Sequence, residues 1–221
     1  ELGIACEACH GPAEEHVRVN RDPLRRYRQH RSEEGDPTIV NPARLDARTS
    51  SQVCGQCHGM NIFRGPEFRE GVRYRAGGDL YETRLILRAN QATQLPDERA
   101  EWPRLAQHIS RQEPTFLSDR FWPDGVVRVS GREHNMMTAS KCFAGGELSC
   151  LSCHSMHGYA DRNDQLAEGM DGDAACLQCH EAIAANITAH THHAADGAGS
   201  SCLNCHMPHT VYGLVRAMRN H

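Results

Sequence analysis

Five copies of one pentapeptide, Cys-x-x-Cys-His, constrain this chain more than anything else in it. They are CEACH at Cys6–His10, CGQCH at Cys54–His58, CLSCH at Cys150–His154, CLQCH at Cys176–His180 and CLNCH at Cys202–His206. They use ten of the eleven cysteines, and no Cys-x-x-Cys pair lacks its histidine. The pattern is the attachment signature of c-type haem: two thiols add to the vinyl groups, and the next residue reaches the iron from the same side. Tetrahedral zinc would account for paired cysteines but not for a histidine after every second one. Disulfides would use the cysteines and ignore the histidines.

The reading is therefore five covalently attached c-type haems. Their cysteines are Cys6 and Cys9, Cys54 and Cys57, Cys150 and Cys153, Cys176 and Cys179, Cys202 and Cys205. The proximal ligands are His10, His58, His154, His180 and His206. Cys142 has no Cys-x-x-Cys partner and reads as a buried free thiol by default, with a disulfide to another chain as the alternative.

Composition agrees with a chain that wraps its cofactors. Only 5% of the 221 residues are aromatic and 39% are hydrophobic, so a core of side chains alone would be thin. The haems would be the core. The expected fold is mainly α with much irregular loop and little or no β, a haem-packed multihaem cytochrome c. All but one of the 24 basic residues are arginine, which pairs carboxylates bidentately, so some arginines are expected to clamp haem propionates. Formal net charge is −4, and all of it falls on residues 134–221. Nothing in this balance points to nucleic acid. No run of about 18 apolar residues exists, so no transmembrane helix is expected. There is no signal peptide, and the chain opens at Glu1, which reads as a mature product or a fragment. Covalent haem attachment outside the cytoplasmic membrane makes the expected location periplasmic or extracellular.

Along the chain, residues 1–58 form a two-haem segment, 59–149 an insert without a haem motif, and 150–221 a three-haem cluster. Gly11-Pro12 should end any helix begun at the first motif. Asn41-Pro42 should open a short helix. Tyr81 to Ala89 fits a helix or a strand, Trp102 to Ser110 an amphipathic helix, and Phe121 to Val129 a β-turn or small hairpin. A helical stretch is expected from His134 to Phe143. A longer helix is expected from Asp173, as N-cap, to Ala195. The tail from Leu214 to Asn220 is short and amphipathic.

Fifteen histidines leave ten after the proximal five, enough for a second imidazole at every iron. The expected distal ligands are His16, His134, His157, His193 and His221. His209 and His192 are reserves, and His190 lies in the same cluster as His192 and His193. His30, in a charge run, and His108 read as ordinary surface or packing histidines. His157 and His209, three residues beyond proximal histidines, cannot fold back onto the same iron and would serve a neighbouring haem. Methionine ligation has no support in the spacing.

These motifs resemble the multihaem cytochrome c superfamily that contains pentahaem nitrite reductases and octahaem hydroxylamine oxidoreductases. The resemblance is carried by Ala5 to Pro12 with His16, by CLSCH with His157, and by His192-His193 ahead of CLNCH-Met207-Pro208. It is closest to doubled-CXXCH cytochromes, in which further haem sites commonly precede the Cys6 motif. It implies distal roles for His16, His193 and His221. The lysine-ligated catalytic haem of nitrite reductase has no counterpart among motifs that all end in histidine. No tyrosine sits where hydroxylamine oxidoreductase forms its crosslink. The expected function is electron relay through closely spaced haems, with other redox proteins or copies of the chain as partners, including a conductive filament, and with no catalytic residues. The alternative is an oxidoreductase acting on a small nitrogen or sulfur compound at one five-coordinate haem.

Overall fold

A computed structural model describes residues 4–63, 73–89, 102–212 and 216–221. It is mainly helical, with short helices joined by irregular loops and two small antiparallel sheets. The N-terminal segment carries α1 (Cys6–His10), α2 (Glu14–Val19) and α3 (Pro23–Arg31). Gly11 stops α1 at φ +74, a conformation that costs a side-chain-bearing residue energy. Asp22 caps α3 by accepting from the Leu24 amide, and Pro23 opens it. Asn41 caps the 3-10 turn Pro42–Arg44 in the same way.

Among the described residues the longest helix is α4 (Ala47–His58), capped by Asp46 accepting from the Thr49 amide. It carries the second motif at its C-terminal end. Beyond it β1 (Asn61–Phe63) pairs antiparallel with β2 (Arg84–Ile86), with Ile62 opposite Leu85. Helices α5 (Trp102–Gln112) and α6 (Phe116–Arg120) follow, then a turn closed by an isolated bridge between Phe121 and Val127. Gly125 in that turn sits at φ +90. Helix α7 (Glu133–Ala139) breaks at Ser140, whose side chain caps α8 (Lys141–Ala144).

The expected single helix from Asp173 to Ala195 is three pieces: α9 (Ala174–Leu177), α10 (Glu181–Ala184) and α11 (Ile187–Thr191). His180 and Asn186 leave helical backbone between them, and Asp173 accepts from the Cys202 amide and Ser201 hydroxyl instead of capping. The fifth motif is α12 (Cys202–His206), and the tail strand β4 (Arg216–Arg219) pairs with β3 (His209–Tyr212). Residues 214–215 of the expected amphipathic tail lie outside the described residues, as do 213, 64–72 and 90–101.

Among the described residues, every buried hydrophobic side chain falls between Val53 and Met137. Its main cluster is Met60, Leu87, Ile109, Phe121 and Val127. The described part of the segment after Met137 buries only Thr138 and Ser200. Met218 packs against the main cluster, but buried side chains alone contribute little against the conformational entropy of this segment.

A buried polar knot joins the hydrophobic cluster to α7. The Asn135 side chain accepts from the Met60 amide at 2.7 Å and donates to the Leu87 carbonyl. Arg88 donates to the Asn135 carbonyl and the Thr138 hydroxyl, both at 2.8 Å. The knot presses His134 onto Gly55, the first variable residue of the second motif. A Cβ at Gly55 would lie 2.8 Å from the His134 ring, which is 2% exposed and has nowhere to go. Gly55→Ala is expected to cost about 1–3 kcal/mol by overpacking, read as a lower melting temperature of the haem-loaded protein.

Candidate haem sites

In α1, at the end of α4 and in α12, the motif is helical. The two cysteines at i and i+3 and the histidine at i+4 therefore share one face, as attachment of a flat group requires. In the third motif the first three residues form a 3-10 turn, and in the fourth α9 runs into the motif. All ten motif cysteines are free and none is fully buried.

The second variable residue of two motifs does the same work twice. Gln56 donates to the carbonyl of Ala8 at 2.8 Å and to that of Val53 at 2.9 Å. Gln178 donates to the carbonyl of Ser152 at 3.1 Å and to that of Ala175 at 2.8 Å. Ala8 and Ser152 are themselves the second variable residues of the first and third motifs. One hydrogen-bond device thus docks the second motif on the first and the fourth on the third. The sulfurs follow: Cys9 lies within electrostatic reach of Cys54 and Cys57, and Cys153 within reach of Cys179. The pairs are joined by contact between Cys54 and Cys150, which raises the Cys54 thiol, and the fifth motif approaches through Cys202 and Cys176. In a haem-bound chain these atoms are thioethers, so their proximity and not their titration carries meaning.

Three imidazole pairs stand out. His10 faces His157 at 6.1 Å between ring centroids with planes 17° apart. His154 faces His221 at 6.0 Å and 27°. His190 faces His206 at 6.1 Å and 18°. A metal–nitrogen bond of about 2 Å, with about 1.1 Å from ring nitrogen to ring centre, puts imidazoles on opposite sides of one metal about 6 Å apart. Each pair joins one motif histidine to one non-motif histidine. Of the expected distal residues, His157 and His221 are in such pairs. His190 faces His206, while the exposed His193 has its ring against Gly199.

His58 and His180 face no second imidazole at this separation among the described residues, which include all fifteen histidines. His134 is buried with neither ring nitrogen hydrogen-bonded. Burial, then the Arg88 charge, holds it neutral, with its pKa down at about 3. His30 and His108 are exposed. Cys142 is exposed on α8 rather than buried, because α8 is a single turn that packs no apolar face.

The outer ring nitrogens are anchored. His10 Nδ1 is 2.7 Å from the Val40 carbonyl, His154 Nδ1 2.9 Å from that of Asp164, and His221 Nδ1 3.2 Å from that of Arg219. His58 Nδ1 lies 2.9 Å from a carboxylate oxygen of Glu133. Burial opposes the Glu133 charge, but the His58 contact and nearby backbone amides bring its carboxyl down to about 2. His16 Nδ1 lies 3.2 Å from Asp36, itself held by Thr38, Asn20 and Arg25. Anchoring at Nδ1 frees Nε2 to bind metal and fixes the ring, a feature of metal-ligating histidine that spacing in sequence does not reveal. Beside Cys57, a cleft of about 320 Å³ sets Met60, Leu87, Phe116 and Val129 against Arg120 and Arg132. Gln56 and Asn61 line the same cleft, so its wall is mixed polar and apolar. The motif cysteines and facing imidazoles fit haem, which when bound would supply one-electron redox chemistry.

Asp36 organises the N-terminal segment. Desolvation pushes its carboxyl up, but hydrogen bonds from Thr38 and Asn20 and the Arg25 charge hold it well below the usual carboxylate range. Its contribution to stability is complete above the unfolded value of about 3.9 and is lost as pH falls below it. Asp36→Ala is expected to cost about 2–3 kcal/mol at neutral pH by leaving those donors without an acceptor, and in chemical denaturation the deficit should shrink on acidification.

Residues 141–185, about a fifth of the chain, match the family model described as the doubled CXXCH motif. No curated protein and no solved structure matches the chain. No helix among the described residues is long and apolar enough to cross a membrane. The matched doubled motif indicates covalently bound c-type haem, attached outside the cytoplasm, and over these residues the chain is similar to the multihaem c-type cytochromes of electron transfer.

Proposed function

We propose that the chain carries five c-type haems and relays electrons through them, with bis-histidine coordination at most sites. The observation that carries this reading is the set of three imidazole pairs, each at the separation a shared metal requires. In it, His157 completes the haem of His10, His221 that of His154, and His190 that of His206. His16, His134 and His193 are the candidates for the irons of His58 and His180. Because His157 is three residues from His154, two haems must approach closely. The docking by Gln56 and Gln178 and the sulfur contacts between motifs support a continuous path of short hops. Partners are other redox proteins or copies of the chain, in a periplasmic or extracellular setting; assembly into a filament is one form of the same relay.

An oxidoreductase acting on a small nitrogen or sulfur compound is the second reading. It rests on His58 and His180, which face no second imidazole. Carbon monoxide separates the two. A relay with all irons six-coordinate stays low-spin and does not bind it, whereas an open site binds it and shows a high-spin component.

Intact mass of the haem-loaded 221-residue chain should correspond to five haems. His221→Ala should convert one haem in five to a high-spin, carbon monoxide-binding form, with haem content unchanged. A low-spin spectrum identical to the parent's would sink the pairing of His221 with His154.

A further inference from the structure

We propose that the Glu133 carboxylate lowers the reduction potential of one haem, that of Cys54–His58, by hydrogen bonding to the His58 ring. This rests on the reading of that motif as a haem site. The contact is 2.9 Å, between His58 Nδ1 and Glu133 Oε2, across 75 positions of sequence.

The fold holds the carboxylate in place. Its other oxygen accepts from the Gly131 amide at 3.0 Å. Arg132, next to it, donates to the Cys57 and Gly131 carbonyls and so seats this loop against the end of the motif. Glu133 opens α7, which Asn135 locks to Met60 and Leu87. The Glu133 side chain is only 21% exposed, so water screens its charge incompletely.

No other motif histidine has such a partner among the described contacts. His10 and His154 meet neutral backbone carbonyls. Among the described contacts the other histidine beside a carboxylate is His16, near Asp36, and it belongs to no motif. A ring that donates to an anion is a more basic ligand at its opposite nitrogen than one that donates to an amide carbonyl. The more basic ligand and the nearby negative charge both favour ferric over ferrous iron. Glu133 thus acts through His58 as a positioning residue and makes one haem of the series more reducing than its ligand type alone would. This contact sets one haem of the series apart from those whose motif histidines meet neutral carbonyls.

The test uses the full haem-loaded chain with Glu133→Gln, which keeps the size and an acceptor oxygen, and Glu133→Asp, which keeps the charge. Haem content and intact mass are measured first. Fewer than five haems in the parent protein would overturn the five-haem reading, and peptide mass mapping says which motif lacks its haem: only absence at Cys54–His58 overturns this proposal with it. Spectroelectrochemical titration and electron paramagnetic resonance then follow the individual haems. The expected result for Gln is five haems retained, one component moved to higher potential, one ferric signal altered, and four unchanged. Asp should lie between Gln and the parent. Unchanged potentials in Gln, a uniform shift of all components, equal shifts in Gln and Asp, or loss of the haem in Gln would each overturn the proposal.

Discussion

A haem attached through Cys-x-x-Cys-His receives one axial ligand from its own segment, and a second protein ligand, where the iron has one, comes from elsewhere. The proximal histidine is bound to the near face by a covalent tether of a few atoms, so its own chain cannot easily reach the far face. Each site with a second protein ligand therefore asks a distant part of the chain to come back. In this molecule His157 returns to His10 from beyond the third motif, and His221 returns to His154 from the last residue. His190 is 16 positions from His206, at the end of the short α11. The chain path between these facing imidazoles is irregular, with short helices in place of long regular elements.

The same constraint explains the division of apolar residues. The motif-free stretch and α4 hold a conventional cluster around Met60, Leu87, Phe121 and Val127. The C-terminal segment has none among its described residues, yet it brings the Cys153, Cys179, Cys176 and Cys202 sulfurs close together. Side chains make the first body, and the attached groups would complete the second. The polar knot of Asn135, Arg88 and Thr138 ties the side-chain core to α7. Through Glu133 and His134 it also sets the surroundings of the second motif.

The three C-terminal motifs look like a triplet because their first cysteines are 26 residues apart. Docking divides them otherwise. Gln178 fastens the fourth motif to the third in the way Gln56 fastens the second to the first. The fifth enters through Cys202 and Asp173. The shared family match covers the third and fourth motifs, and the same hydrogen bonds recur in the first pair without lying inside that match. Equal spacing along a chain does not specify equal packing, because the glutamine side chain and not the linker length sets how two motifs meet.

What sequence alone determined was local chemistry. It established the attachment motifs, the mainly helical and irregular fold, the break at Gly11, the cap at Asn41 and the turn around Gly125. Each follows from neighbours within a few residues. The helix expected from Asp173 to Ala195 failed where His180 and Asn186 leave helical backbone, since composition reports propensity and not the demands of an attachment site. Only the tertiary structure decided which imidazoles face each other, that Gln56 and Gln178 dock motifs in pairs, and that Glu133 sits on His58. Those contacts join residues far apart in sequence. Any of ten histidines could answer a given motif by spacing alone, and only the folded path brings one of them to 6 Å.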